Sequence, residues 1–402
     1  MDALYSFLTF LQPGILWPQL AIAKPMVIAG LIGFVAGLSR RRMEPLVATL
    51  RQPPFIWLLI FVFVQALSVY STGFMGVIYQ LLYWLNFVVF VVVSVSLINS
   101  VAALQRYVVG AISGAMVIIG YGIYAKYAGL LPAFQGGRAG AYGMYENQND
   151  YSFAIIMILP FILFARRNAT GHLARLVLLA CALACVLGIF LSLSRGGVLA
   201  LIAEVALFVL YGMKRRRVLL FIVLAFIGSA AISWQWHARA VNQGAGYTYK
   251  DSETTREELW RAGWAMFKAN PILGVGSRSF GEHAPSYTEI SHDNRNKNAH
   301  NTYIEVAATS GLTGILSFLL MLRSMHRELR NSRKITYSPE LTNLRLACRI
   351  ALYSITFRAL FDAKPWDWSF YLFCAIVLAS SMLERTKTTP RIAGMATLGP
   401  TG

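Results

Sequence analysis

The sequence predicts an all-α membrane protein: a polytopic bundle of about twelve transmembrane helices with one large polar loop on its outer side. Three observations carry that reading. Of the 402 residues, 56% are hydrophobic and 13% are charged, and the mean hydropathy is +0.54; a soluble domain carries about 25% charged residues. Apolar runs recur along the chain at about the twenty residues needed to cross a bilayer. Lys and Arg gather in short clusters between those runs, as topogenic charge does.

In order, the apolar runs lie at 3–15, 18–38, 54–70, 75–98, 104–127, 151–165, 174–193, 197–213, 218–236, 300–322, 346–361 and 367–383. The first is short and ends at Pro13-Gly14. Basic clusters follow at Arg40–Arg42, Arg51, Arg106, Arg166–Arg167, Arg175, Lys214–Arg217, the 323–349 segment, and Arg385 with Lys387. Twelve spans with both termini inside place every cluster on the cytoplasmic side; a miscount in the middle would send the later clusters outside. The expected organisation is a bundle of about nine spans over 1–236, a large outer loop with short helices over 237–299, three further spans over 300–385, and a disordered cytoplasmic tail over 386–402. The N-terminus shows no basic n-region or cleavage site, so it is read as mature chain.

The formal net charge is +18. No nucleic-acid module accompanies it, so the expected partner of this charge is membrane lipid and not nucleic acid. Cys181, Cys185, Cys348 and Cys374 sit in or beside apolar runs, and Cys181 and Cys185 form an i, i+4 pair rather than a CxxC. Neither a disulfide framework nor a zinc site follows.

The longest polar stretch, 256–314, is where chemistry is expected. Arg195 stands in LSLSRGGVLAL, where an outward helix N-terminus begins. There the free N–H groups and the positive dipole end face outward, and Gly196 and Gly197 let an anion approach. That arrangement suits phosphate; the competing reading is an interfacial arginine reaching lipid headgroups. His300-Asn301 opens the next long span. The dipole at that end disfavours imidazolium, so His300 is expected to be neutral and able to accept a proton; helix capping is the competing reading. Ala307 and Gly311 read as a small-xxx-small packing face, and Glu305 as an acid facing the bundle or a wet cavity.

Arg256, Arg261, Lys268 and Arg278 decorate an amphipathic helix expected over Glu253–Ala269 and stopped by Asn270-Pro271. Its apolar members are Leu259, Trp260, Trp264, Met266 and Phe267, and the competing reading is a helix lying on the membrane surface. His283, His292 and Asp293 fit no metal-ligand spacing, so no metal is expected. Asp362 follows Arg358 by one helical turn, an ion pair that is either structural or part of the site.

Three motifs together resemble the bacterial O-antigen ligase and polymerase superfamily: SRGG at 194–197, the R…LW…MF…NPILGVG run at 256–276, and His300-Asn301 followed by Gly311-x-x-Gly314. The GRAGAYGMYENQND segment at 138–150, with Arg138, looks like the family's outer loop. The resemblance covers the second half of the chain; the first five spans match in character alone. It implies a glycosyltransferase of the bacterial inner membrane with a periplasmic active site. The donor is then a glycan on undecaprenyl pyrophosphate and the acceptor a sugar hydroxyl of lipid A-core. By motif His300 is the base, and Arg195 and Arg256 hold the pyrophosphate. Arg138, Gly196, Gly197, Arg261, Asn301, Glu305 and Asp362 stand as supporting candidates.

The chemistry agrees with these residue types. A polyprenyl pyrophosphate is already a good leaving group, so the site needs charge neutralisation there and a base for the acceptor hydroxyl. No cofactor is expected, and in-line attack inverts the anomeric centre. A polymerase joining lipid-linked repeats uses the same chemistry. A transporter or flippase of an anionic lipid is the alternative of another class, but such folds show paired interrupted helices and repeats, whereas this chain has one lopsided outer loop.

Overall fold

The computed structural model describes residues 1–16, 30, 35, 43–130, 137–211, 249–330, 338–363 and 367–388. Nearly all of the expected span at 18–38 and the whole of that at 218–236 lie outside them, as do the clusters Arg40–Arg42 and Lys214–Arg217 and the tail beyond 388. The described residues form helices with no strand. We label the main ones α1 (Asp2–Leu11), α2 (Met43–Leu50), α3 (Pro53–Leu67), α4 (Gly73–Leu97), α5 (Val101–Tyr127), α6 (Gln148–Asn168), α7 (His172–Ser192), α8 (Arg195–Leu210), α9 (Tyr249–Ala269), α10 (Thr302–Arg330), α11 (Pro339–Arg358) and α12 (Trp368–Thr388).

Among the described residues, five helices are long and apolar enough to cross a membrane: α4 with the turn before it, α5, α6, α7 and α10. α1 and α3 are shorter apolar helices. Local chemistry sets the starts. Pro53 and Pro54 open α3, where a missing N–H costs nothing. Ser100 caps α5 through the amide of Ala103 at 3.1 Å, and Ser338 caps α11 through Leu341 at 3.4 Å. α1 ends at Gln12, which takes a left-handed conformation (φ 48°) before a separate turn of helix, Pro13–Leu16, so the expected run 3–15 is broken in two.

α6 is the bundle's axis. It is buried almost all round, from Gln148 to Phe161, and packs against α5, α7, α8 and α11. α12 is buried from Phe370 to Leu383 and packs on α4, where Phe87 stacks on Tyr371 with ring centroids 4.3 Å apart. A helix apolar on all sides is what a bundle centre requires.

The two ends of the bundle differ. At one end Arg106 pairs with Asp2 (2.7 Å), Arg345 with Glu384 (2.8 Å) and Arg385 with Glu328 (2.7 Å), and Asn343 bonds Asn168 at 2.5 Å. Arg106, Arg345 and Arg385, all from the basic clusters, are thus each paired with an acid. The opposite end carries the 137–149 segment, the α7–α8 turn, the 270–302 region and the end of α11 with residues 359–363.

α10 departs from expectation. Gly311 has φ 65° and ψ −162°, which breaks the helix into two arms. Tyr303 and Phe318 have ring centroids 6.2 Å apart, although fifteen residues of straight helix would separate them by about 22 Å. The first arm therefore folds back beside the second. A Cβ on Gly311 would lie 2.3 Å from the backbone of Ile272. The glycine serves this break, and not the flat small-residue face read from the sequence. The polar groups freed by the break are satisfied by the NPILGVG loop: Val275 and Gly276 donate to the carbonyls of Ala308 and Thr309, both at 3.0 Å, and Leu312 donates to Pro271 at 2.7 Å. Non-helical backbone within a membrane protein is tolerated when protein satisfies it in this way.

A buried polar knot locks the same loop to the bundle. Ser277 donates its amide to Ser68 (2.8 Å) and its hydroxyl to Gln65 (2.7 Å), and Ser310 also donates to Gln65 (3.0 Å). α9 packs on the first arm of α10 through a small apolar core of Leu259, Ala262, Met266, Phe280, Ala284, Ala299 and Ala308. Its start, Tyr249, lies four residues before the expected Glu253, and its end at Ala269 is as expected.

Candidate active site

Three turns from distant parts of the sequence meet at the end of the bundle opposite those ion pairs. The first is the α7–α8 turn. Leu193 adopts φ 51°, a left-handed conformation that bulky residues avoid. It reverses the chain so that Ser194 can cap α8, accepting from Gly197 N–H at 3.2 Å. The Ser194 hydroxyl in turn donates to Asn149 Oδ1 at 2.8 Å. Arg138 lies against the same turn, its Nε donating to the Ser192 carbonyl at 3.0 Å. Arg195 is partly exposed at the first position of α8.

Gly196 and Gly197 have a second reason to be glycine. A Cβ on Gly196 would lie 2.6 Å from Phe361 Cβ and 2.9 Å from Arg358 Nη1; on Gly197 it would lie 2.8 Å from Ser152 Cβ. Both are buried. Helix packing closes the position a side chain would take at each.

The second turn closes α11. Arg358 is fully buried, and its Nη2 reaches the Asn149 carbonyl (3.1 Å), Ser152 Oγ (3.3 Å), Ser194 Oγ (3.4 Å) and Asp362 Oδ2 (3.4 Å). Its Nε and Nη1 have no hydrogen-bond partner among the described residues. Asp362 is also buried and accepts from the amide of Ala363 at 3.0 Å. The pair seen in the sequence is therefore an internal one that ties α11 to the starts of α6 and α8.

The third is the histidine turn. Ala299 is held at both polar atoms: its N–H donates to Glu305 Oε2 at 2.8 Å, and its carbonyl accepts from Trp260 Nε1 at 2.9 Å. His300 follows with φ 49°. Asn301 Oδ1 accepts from Tyr303 N (3.0 Å) and Ile304 N (3.2 Å), so Asn301 is the N-cap of α10. Thr302 donates its amide to the Ala359 carbonyl (2.8 Å) and its hydroxyl to the Asp362 carbonyl (2.7 Å). His300 thus opens the folded-back arm, whose Tyr303 lies beside Phe318, and not the tip of a straight span.

The segment 358–362 touches both helix starts: Arg358 and Phe361 lie against Gly196, and Ala359 and Asp362 hold Thr302. The turns bearing Arg195 and His300 are thereby brought to one place. Arg256 arrives by α9, four residues before Trp260, whose indole reaches the histidine turn. It lines a recess with Glu257, Trp260, Arg261 and Trp264. Arg261 is exposed and pairs loosely with Glu257 at 3.9 Å. Arg278 is not on this helix. It lies past the NPILGVG loop with φ 68°, its guanidinium 3.9 Å above the Tyr83 ring.

Outside the spans, Glu258 ties α9 to the segment before the histidine. Its Oε2 accepts from Asn294 Nδ2 (2.8 Å), Ser291 Oγ (2.9 Å) and Ser291 N (3.2 Å). The Asn294 bond, helped by those of Ser291, holds this carboxyl below its usual range against the opposing effect of burial. Among the described residues no three His, Cys, Asp or Glu side chains converge as metal ligands.

Sequence reasoning missed Asn149, Asp150 and Ser152. The Asn-Asp pair ahead of an apolar run is the signal that finds them: Asp150 is buried within electrostatic reach of Arg358.

Residues 178–319 match a family model described as O-antigen ligase. This part of the chain is an O-antigen ligase-family region. It runs from within α7 to the second arm of α10 and holds Arg195, Arg256 and His300. Arg358 and Asp362, which join the ligase-family turns to each other, come from the sequence after it. No curated protein matches the chain. The long apolar helices among the described residues fit a multi-pass membrane protein, and the match over 178–319 fits a function of O-antigen ligase or polymerase type.

Proposed function

We propose that the protein is an O-antigen ligase. It transfers a glycan from undecaprenyl pyrophosphate to a sugar hydroxyl of lipid A-core, at the periplasmic face of the bacterial inner membrane. The observation that carries this reading is the meeting of the Arg195 and His300 turns on the 358–362 segment. A cation at a helix start beside a basic imidazole is what a displacement of pyrophosphate by a hydroxyl needs. In this reading 237–299 is the periplasmic loop, and 300–385 returns the chain through the membrane.

His300 removes the proton from the acceptor hydroxyl as its oxygen attacks the anomeric carbon. The bond from that carbon to the pyrophosphate oxygen breaks on the opposite face, so the configuration inverts. Arg195 and Arg256 take the charge that develops on the pyrophosphate, with Arg138 and Arg261 as further cations nearby. Glu305 and Asp362 act through backbone: the first fixes Ala299 beside His300, the second fixes Thr302. Asn301 caps the helix and so sets the direction in which His300 leaves it.

Reconstitution of the purified protein with a lipid-linked glycan and lipid A-core tests the reading. Glycan on lipid A-core is the expected product. Extension of a second lipid-linked repeat instead would make it a polymerase, and movement of donor without transfer would make it a transporter.

A further inference from the structure

The helices whose outer ends carry Arg195, His300 and Arg358 also meet near the basic end of the bundle. Tyr211 closes α8, His326 lies on the second arm of α10, and Arg349 and Tyr353 lie on α11. The Tyr353 hydroxyl meets His326 Nδ1 at 2.7 Å, and the Tyr211 and Tyr353 rings stack with centroids 6.4 Å apart. The Arg349 guanidinium sits 4.4 Å over the Tyr211 ring and its Nη2 donates to the Tyr211 hydroxyl at 3.2 Å. Arg323, Arg330 and Arg349 are all within electrostatic reach of His326.

The charge there is not balanced by the protein. Of the acids at this end, Glu328 is taken by Arg385, Glu384 by Arg345 and Asp2 by Arg106, and Glu340 lies in the first turn of α11, nine residues before Arg349. Among the described residues no carboxylate pairs with Arg323, Arg330 or Arg349, and Arg349 Nε is buried without a hydrogen-bond partner. Cations at a membrane boundary call for an anion.

The neighbouring surface indicates what kind of anion. Down α10 the exposed stripe reads Leu312, Leu316 and Leu319, and then Arg323 and Arg330. Leu210, beside Tyr211, is 76% exposed. Apolar surface above and cations below is the order of an acyl chain above a phosphate headgroup. A free phosphate would use the cations and leave the leucine stripe without a counterpart.

We propose that this notch between α8, α10 and α11 binds the headgroup of an anionic phospholipid, with its acyl chains along the leucine stripe. Bound there, the lipid holds together the inner halves of the three helices that carry the outer site. The inference does not depend on which glycan reaction that site performs.

The test uses the full chain in detergent, titrated with phosphatidylglycerol or phosphatidylcholine, reading the thermal midpoint and the lipid retained in native mass spectra. Phosphatidylglycerol is expected to bind and raise the midpoint, and phosphatidylcholine to do neither. Arg349→Gln should weaken phosphatidylglycerol about fivefold, and Arg323→Gln, Arg330→Gln and Arg349→Gln together about a hundredfold. Arg166→Gln, Arg167→Gln and Arg175→Gln together remove the same charge from the same end and should leave binding intact. Equal loss in both triple variants would overturn the proposal in favour of diffuse attraction. An equal midpoint shift with inorganic phosphate alone would overturn the lipid as ligand. Variants are compared only if their midpoints in phosphatidylcholine equal that of the parent. If the notch triple does not meet that condition, Arg323→Gln with Arg330→Gln, both exposed, must still lose at least tenfold.

Discussion

The hydroxyl of Thr302 donates to the carbonyl of Asp362 at 2.7 Å, across sixty residues of sequence. With the Thr302 amide on Ala359, it fixes the histidine turn to the end of α11. Four residues before Asp362, Arg358 fixes the same end to Ser194 and Asn149. The α11 terminus is thus the splice between the donor-binding turn and the base-bearing turn of the proposed ligase.

Arg358→Met should therefore be severe. It removes one partner of a buried pair and leaves Asp362 uncompensated, a change that typically costs about 3–5 kcal/mol. Arg358→Lys keeps the charge but not the fork that reaches several acceptors, and should recover part of the loss. Thermal unfolding in detergent and glycan transfer per folded protein check this; wild-type values in Arg358→Met would dissolve the splice.

Gly311→Ala should destabilise by more than about 1 kcal/mol, since φ 65° is strained for any side chain and the Cβ meets Ile272. Gly120→Ala, on an exposed turn of α5, is the comparison: nothing lies within 4 Å of its Cβ and its φ is not left-handed. A fall in thermal midpoint for Gly311→Ala no larger than for Gly120→Ala would contradict the break as a packing requirement.

These two predictions show where the sequence is readable and where it is not. Hydropathy alone places α3 to α8 to within about four residues, because burial in lipid demands long apolar runs. The break in α10 is invisible to that reasoning: a lone glycine in an apolar helical pattern reads as packing, and only the loop at 271–276, forty residues upstream of the second arm, shows why it is there. His300 and Arg195 stand out because polar residues beside helix starts are few, and Arg256 because it opens the longest polar stretch. Arg358 looked like a local i, i+4 pair, since its reach to Asn149 and Ser194 depends on a tertiary contact that no spacing encodes. Arg278 was assigned to α9 because nothing local marks the left-handed turn that carries it onto Tyr83.

Glu258 predicts an acid-sensitive tether. Its folded-state carboxyl lies below the ordinary value, so its bonds to Ser291 and Asn294 contribute stability that is present above the unfolded pKa and lost as pH falls through the folded one. Amide exchange at 291–294 should rise relative to the intrinsic rate as the medium is acidified through the carboxylate range. Glu258→Gln should show the raised exchange already at neutral pH. PH-independent protection of that segment would remove the tether.

Arg195→Ala and Arg256→Ala should each weaken donor binding or turnover while the protein still inserts, with Lys rescuing in part. Titration with the lipid-linked donor measures it. Full activity in both Ala variants would remove the phosphate assignment.

Exhaustive chelation should leave transfer unchanged in the purified enzyme. A loss restored by one divalent metal would turn attention to His283, His292 and Asp293.

The most direct measurement is single-turnover transfer by His300→Ala with donor binding recorded on the same sample. A positioned base contributes about 10²–10⁴-fold. The account predicts a loss of that size with donor affinity unchanged, because Arg195 and Arg256 are untouched, and a wild-type rate that falls with acid as the imidazole is protonated. Near-normal transfer by His300→Ala would contradict the base assignment, and loss of donor binding would make His300 a phosphate contact instead.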